Sequence, residues 1–153
     1  MVDSIRIRRA HLQEADRLRE IAVAAKGHWG YDPGLVRAWA DADFTDANLA
    51  RRELHVAEVD GRAVAWASIV DKGEVCWLED LWVEPAWMRK GIGRRLFERA
   101  AERGRELGAK RLEWEAEPNA VEFYEAMGGR ELRDSDETEW GRVLAVMGID
   151  LPG

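Results

Sequence analysis

Cysteine is almost missing from this chain: Cys76 is the only one among 153 residues. A lone cysteine excludes an internal disulfide and a multi-cysteine metal site, and it fits a reducing cytoplasm. Histidine is scarce as well. His11, His28 and His55 are scattered without paired ligand spacing, so no catalytic metal is expected. There is no Pro/Gly/Ser-rich linker, low-complexity run or internal repeat, and residues 1–153 therefore read as a single domain. The opening Val2-Asp3-Ser4-Ile5-Arg6 holds no apolar stretch long enough for a signal peptide or membrane span, which predicts a soluble cytoplasmic protein with no membrane partner. Basic charge is in deficit too. With 23 Lys and Arg against 30 Asp and Glu, the net charge of -7 speaks against a general nucleic-acid or anionic-membrane binder and suits a cationic small molecule better.

What is present is enough for one buried core, since 46% of the residues are hydrophobic. Their spacing orders the elements. Ile5 to Arg8 can form a strand, and Leu12, Ala15, Leu18, Ile21, Ala22 and Ala25 then recur at helical spacing up to Gly27. Trp29 to Asp32 interrupts, Pro33 to Ala40 predicts a second helix, and Thr45 is placed to cap a further turn. Strand-like runs at 54–59, 62–70 and 75–83 are separated by Asp60-Gly61 and Lys72-Gly73, both hairpin-turn sequences. From Gly91 to Leu107 an amphipathic helix is expected, with Gly108 as its stop. A strand at 111–116, a short helix at 120–127 ended by Gly128-Gly129, and strands at 130–132 and 143–149 complete a mixed α/β, or α+β, domain.

The turn Met88-Arg89-Lys90-Gly91-Ile92-Gly93 joins a strand to a helix. A helix start carries unpaired backbone N–H groups at the positive end of its dipole, which is an anion site. Gly91 and Gly93 would let phosphate oxygens approach the backbone, and Arg89, Lys90 and Arg94 would add charge. A plain strand-to-helix turn would read the same way. The string is not a P-loop, which needs Gly-Lys-Ser or Gly-Lys-Thr after four residues. Nor is it a dinucleotide fingerprint, because Leu96 stands where a third glycine is needed and a meander precedes it.

Taken with the blocks on either side, the chain resembles the GNAT superfamily of acyl-CoA N-acetyltransferases. The blocks are Trp77-Leu78-Glu79-Asp80-Leu81-Trp82-Val83-Glu84-Pro85, the turn at 88–93, and Pro118-Asn119-Ala120-Val121-Glu122-Phe123-Tyr124. The likeness runs from Glu74 to about Leu151. It departs from the family pattern at Met88, where Gln or Arg is usual, and at Gly129, where an aromatic often follows the helix. The resemblance implies a central, mostly antiparallel twisted sheet of about seven strands, flanked by about four helices and splayed between strands four and five. It also implies acetyl-CoA as co-substrate, no metal, and a homodimer as a common assembly.

Under that resemblance, Met88, Arg89, Lys90, Gly91, Ile92, Gly93 and Arg94 hold the CoA diphosphate, Met88 through its backbone N–H. Leu81, Trp82 and Val83 match the bulged strand whose backbone pairs with the pantetheine arm and can face the thioester oxygen. Asn119 and Phe123 fall in the cofactor motif, and Tyr124 matches the tyrosine that protonates the departing thiolate. Phe123 and Tyr124 can equally be a packed aromatic pair. Glu79 and Asp80 are the candidates for holding a cationic amine and taking its proton. In a regular strand they face opposite sides, so one of the two acts unless a bulge re-aims them, and a solvated acidic pair is the plain alternative. Trp29 and Tyr31, beside His28, fall where the family walls its acceptor pocket, or else anchor a loop to the core or a dimer mate. Trp140 has the same two readings.

The function implied is transfer of an acetyl group from acetyl-CoA to a primary amine by direct attack in a ternary complex. The strand at 77–83 is similar to that of diamine and polyamine acetyltransferases, which points to a small cationic amine such as a polyamine or an amino-acid-like metabolite. Acetylation of a peptide or protein amino group and a non-catalytic acyl-CoA sensor are the alternatives. The arginines at 94, 95, 99, 103 and 105 interleave with Glu98, Glu102 and Glu106, the pattern of a solvated helix face with local ion pairs rather than a nucleic-acid surface.

Overall fold

A computed structural model describes residues 4–138 and 141–153. Trp140 lies outside the described residues. In chain order the elements are β1 (Ile5–Arg9), α1 (Ala15–Gly27), α2 (Pro33–Asp43), α3 (Asp46–Ala50), β2 (Glu53–Val59), β3 (Arg62–Lys72), β4 (Val75–Val83), α4 (Ile92–Glu106), β5 (Arg111–Ala116), α5 (Val121–Ala126), β6 (Arg130–Asp134) and β7 (Ala145–Asp150). Short 3-10 turns at Leu12–Glu14, Pro85–Trp87 and Pro118–Ala120 precede α1, α4 and α5. The strands make one seven-stranded sheet in the order β1-β2-β3-β4-β5-β7-β6.

The fold is the mixed α+β class expected. The described residues hold five α-helices rather than about four, because the Thr45 hydroxyl accepts the Asn48 N–H at 3.1 Å and starts α3 as a separate element. Asp32 caps α2 in the same way, accepting the Leu35 N–H at 3.0 Å ahead of Pro33 at the first helical position. The β2–β3 turn is tight because Asp60 and Gly61 both take positive φ, 51° and 77°, as the twist of a two-residue hairpin requires. The β1–β2, β2–β3, β5–β7 and β6–β7 ladders are antiparallel. The β4–β5 ladder is parallel and registers only Val75 to Trp77 against Arg111 to Glu113, so the two strands part while β4 continues to Val83.

The chain forms two compact units. One runs to Val70 and adds Asp80–Ala100; the other combines Asp71–Glu79 with the chain from Ala101 onward. The first packs α1, α2 and α3 on the sheet around Leu18, Ile21, Phe44, Val56 and Trp66. Rings carry much of that contact: Trp82 meets Trp39 at 5.3 Å, Trp39 meets Phe44 at 5.0 Å and Phe44 meets Trp66 at 5.3 Å, all edge to face. The Trp66 indole N–H, fully buried, donates to the Leu18 carbonyl at 2.8 Å. Residues 63–69 of β3 are buried without a break, as in a strand covered on both faces.

In the second unit Cys76, Leu78, Leu112, Trp114, Val146, Met147 and Leu151 are buried. Glu113 is buried among them and accepts Arg111 Nε and Arg133 Nη2, each at 3.0 Å. Burial alone would push its carboxyl up; the two guanidinium partners outweigh this and hold it below the usual glutamate range. A carboxyl lowered on folding stabilises the protein above its unfolded value, and that contribution is lost as pH falls through the folded value. Glu113→Gln should therefore lower the melting temperature at pH 7 and converge on wild type as the pH drops below the carboxylate range. A gap of equal size at pH 7 and pH 3 would contradict the assignment.

Candidate active site

Within the first unit, β4 ends at Val83 and leads through Glu84 into the 3-10 turn at Pro85–Trp87. Arg17 secures this exit, with Nη2 donating to the Glu84 carboxylate at 2.5 Å and to the Ala63 carbonyl at 2.8 Å. The Glu84 N–H in turn donates to the Val64 carbonyl at 2.9 Å. Leu81, Trp82 and Val83 are all half-buried, which ends the strict alternation along Cys76, Leu78 and Asp80 (inward) and Trp77 and Glu79 (outward).

The chain then reverses into α4. Arg89 takes φ 63° and Gly91 φ 81°, and a Cβ built on Gly91 would meet no atom within 4 Å. Gly91 is needed for its backbone angle and leaves open space beside it. The first α4 bond runs from the Arg95 N–H to the Gly91 carbonyl at 3.2 Å, so Ile92, Gly93 and Arg94 have no acceptor within the helix for their N–H groups. Ile92 is buried and anchors the helix start, while Arg89, Lys90, Gly91 and Arg94 are exposed. Met88 differs from expectation. Its N–H donates to the Pro85 carbonyl at 3.2 Å and so is engaged within the turn.

The acidic pair is divided by environment. Asp80 is 4% exposed. Its Oδ2 accepts Arg52 Nη1 at 2.8 Å and the Ser68 hydroxyl, and its Oδ1 accepts the Trp82 indole N–H at 3.0 Å. Arg52 also donates to Asp43 at 3.2 Å and lies over the Phe44 ring. Tyr31 and Trp39 each face the Lys26 ammonium at 4.8 Å, and Trp82 faces it at 5.8 Å. Trp29 is 48% exposed and stands edge-on to His28.

In the second unit Glu79 is exposed and accepts the Trp77 indole N–H at 2.6 Å. It shares a negative field with Glu115 of β5. Partial burial, followed by the charges of Glu79, Glu117 and Asp136, pushes the Glu115 carboxyl up. Asn119 is exposed in the 3-10 turn before α5. Tyr124 is buried on α5, 4.8 Å from the Trp114 ring and 5.1 Å from that of Phe123. The aromatic that often follows this helix in the resembling family has no room here: a Cβ on Gly129 would lie 2.9 Å from both Trp114 Cζ2 and the Tyr124 carbonyl oxygen.

Arg52, Ser68, Lys26, Trp39 and Trp114 were not among the residues singled out from sequence. Ser68 carried a signal, as the one hydroxyl in the run Ala63-Val64-Ala65-Trp66-Ala67-Ser68-Ile69-Val70. Arg52 and Lys26 carried none, since their partners come from other elements.

The element order, with β4 and β5 parallel and a glycine turn opening α4, is that of an acyl-CoA N-acetyltransferase fold. The chain matches the Acetyltransferase (GNAT) family over residues 15–129 and belongs to that family. It is 33% identical over 86 residues to an uncharacterised N-acetyltransferase of Methanocaldococcus jannaschii, a match covering 50% of this chain and 38% of that protein's length. Among solved structures, it superposes on PaiA N-acetyltransferase from Thermoplasma acidophilum in complex with coenzyme A, with a TM-score of 0.83 at 16% identity, covering 97% of this chain and 99% of that one. YncA from Salmonella typhimurium with its cofactor acetyl-CoA gives a TM-score of 0.71 at 22% identity, covering 99% and 96%. At these identities the structural likeness concerns the fold.

The contact at Gly129 generates a test of how Tyr124 is seated. Gly129→Ala must displace backbone or a buried ring, at about 1–3 kcal/mol for overpacking. Thermal unfolding should show the loss, and a variant as stable as wild type would contradict the packing described.

Proposed function

We propose that the protein is an N-acetyltransferase that moves an acetyl group from acetyl-CoA to a primary amine, with a small cationic amine as acceptor. The observation that carries the proposal is the turn at Arg89 to Arg94: a left-handed Gly91 beside open space, a helix start with N–H groups lacking helical acceptors, and exposed Arg89, Lys90 and Arg94. These residues fit a diphosphate. The family match runs through both units and supports their working as one domain. The coenzyme A and acetyl-CoA complexes of the two neighbours support the choice of co-substrate. No helix among the described residues is long and apolar enough to cross a membrane, and they contain no cluster that could hold a metal ion. A cytoplasmic setting and a homodimer complete the proposal, the first supported by the lone buried Cys76 and the second by the habit of the resembling family.

Co-substrate binding falls to Arg89 through Arg94, with Leu81, Trp82, Val83, Asn119 and Phe123. Acetyl-CoA supplies an activated acyl carbon. Glu79 takes the ammonium proton directly or through water; the N–C bond then forms as the C–S bond breaks, Tyr124 donates the proton that the thiolate needs, and the second proton shed by the nitrogen restores the phenol. Glu79 suits the first role because it is exposed, whereas Asp80 is enclosed. The carboxylates around Glu79, Glu115 and Glu117 favour a cationic acceptor, and Trp29 is exposed enough to pack against its alkyl part.

Free-thiol release measured with acetyl-CoA and a panel of polyamines, amino-acid-like amines and peptide N-termini tests this directly. Release is expected with the small cationic amines; release only with peptides would move the acceptor class, and acetyl-CoA binding without any amine-dependent release would make the protein a sensor. Gly91→Asp, which forces a side chain into left-handed backbone and sets a negative charge in the turn, should weaken CoA binding more than tenfold by calorimetry. Intact affinity would remove the turn from the site. General-base catalysis is typically worth about 10²- to 10⁴-fold, so Glu79→Gln should reduce kcat/KM within that range and flatten the acid limb of the pH profile. An unchanged profile would exclude Glu79.

A further inference from the structure

We propose that Asp80 and Lys26 are positioning residues that hold Trp82, and through it the end of β4, in the conformation that receives the acyl-CoA arm, and that Asp80 does not contact the acceptor amine. The proposal rests on the acetyltransferase reading above and changes the division of labour within it. From the neighbouring acidic pair, Glu79 keeps the chemistry and Asp80 becomes framework.

Three restraints converge on the Trp82 side chain. Its indole N–H donates to Asp80 Oδ1 at 3.0 Å, its ring meets Trp39 edge to face at 5.3 Å, and the Lys26 ammonium lies 5.8 Å from its centroid. Each restraint is anchored in turn. Asp80 is fixed on its other oxygen by Arg52 at 2.8 Å and by the buried Ser68 hydroxyl, so the carboxylate cannot rotate without abandoning two donors. Lys26 is 4% exposed and stands 4.8 Å from both Tyr31 and Trp39, which fixes the cation against aromatic faces. An indole gripped at its N–H, its edge and its face has little rotamer freedom.

The consequence reaches the backbone because Trp82 is the middle residue of Leu81–Val83, where the alternation of β4 is lost. To offer its N–H and C=O groups to another extended chain, the segment assigned to the acyl-CoA arm must have its shape held. The Trp82 side chain supplies that hold. A carboxylate acting as base or ligand for an amine needs a free lone pair and a path from solvent; Asp80 gives three contacts to its own protein and is buried, whereas Glu79 is exposed on the other side of the strand. The same reasoning moves Tyr31 into the framework, since one of its ring faces is given to Lys26.

The test uses the full chain, with acetyl-CoA affinity read by calorimetry, KM for the acceptor read separately, and kcat followed against pH. Trp82→Phe keeps a ring and removes the N–H donor; it should weaken acetyl-CoA binding about tenfold while KM for the amine and the pH profile stay within twofold of wild type. Asp80→Ala, which removes the acceptor, should produce the same pattern, and the double variant should be no worse than the more affected single one, because both break one contact. Should Asp80→Ala fail to fold, Ser68→Ala loosens the carboxylate while keeping its Arg52 pair, and the same loss of acetyl-CoA affinity is expected. Lys26→Met should also weaken acetyl-CoA binding, with Lys26→Arg recovering most of it. The proposal is overturned by a rise in amine KM at unchanged acetyl-CoA affinity, by additive effects in the double variant, or by wild-type affinity in Trp82→Phe or Ser68→Ala. Wild-type protein that binds no acetyl-CoA would overturn the acetyltransferase reading together with this one, whereas wild-type binding with unaffected variants overturns this inference alone.

Discussion

A carboxylate withdrawn from water has to be given donors by the chain that buries it, and Asp80 is where this fold meets that demand. Its oxygens collect Arg52 from the segment between α3 and β2, Ser68 from β3 and Trp82 from β4 itself. Removing a single partner from such a group leaves a buried charge poorly compensated, which typically costs several kcal/mol. The three segments are thereby held in one relation by directional bonds, and the apolar packing of Phe44, Trp39 and Trp66 closes around them. Nonpolar contact alone would tolerate sliding; a carboxylate shared among three donors does not.

The turn proposed to bind the diphosphate follows directly from this end of β4. Arg17 ties Glu84 and the Ala63 carbonyl, Pro85 begins a 3-10 turn, and the backbone then has to reverse within a few residues to start α4. Left-handed angles at Arg89 and Gly91 accomplish the reversal. The same geometry leaves the first N–H groups of α4 without acceptors in the helix and the space beside Gly91 open. Under the proposed function turn and site are one object, because the glycine that reverses the chain also leaves the space an anion would enter. Met88 shows the limit of this economy, since the Pro85 carbonyl has taken its N–H.

In the second unit an aromatic exchange explains the departure from family pattern at Gly129. Trp114 on β5 fills the volume under α5 and packs on Tyr124, and with that ring in place position 129 accepts no side chain. Tyr124 is therefore set by a strand residue and by the backbone that follows its own helix, rather than by an aromatic further along the chain. The arrangement is consistent with a tyrosine whose position matters and whose burial must be arranged locally.

The sequence by itself determined the elements and their order, down to the Thr45 cap, the Asp60-Gly61 hairpin, the start of α4 after Gly91 and the strand at 111–116. These depend on interactions between residues close in the chain: apolar period, side-chain capping and the backbone angles that glycine permits. It determined the family in the same way, through strings whose residues act as neighbours. Tertiary structure alone decided which member of the Glu79-Asp80 pair is enclosed and by what, because Arg52 is 28 positions from Asp80 and Ser68 is 12. It decided that the face of Tyr31 belongs to Lys26 and that Trp114 leaves glycine the only fit at 129. Partners of that kind are chosen by close approach in space, and no periodicity along the chain records which side chains will meet.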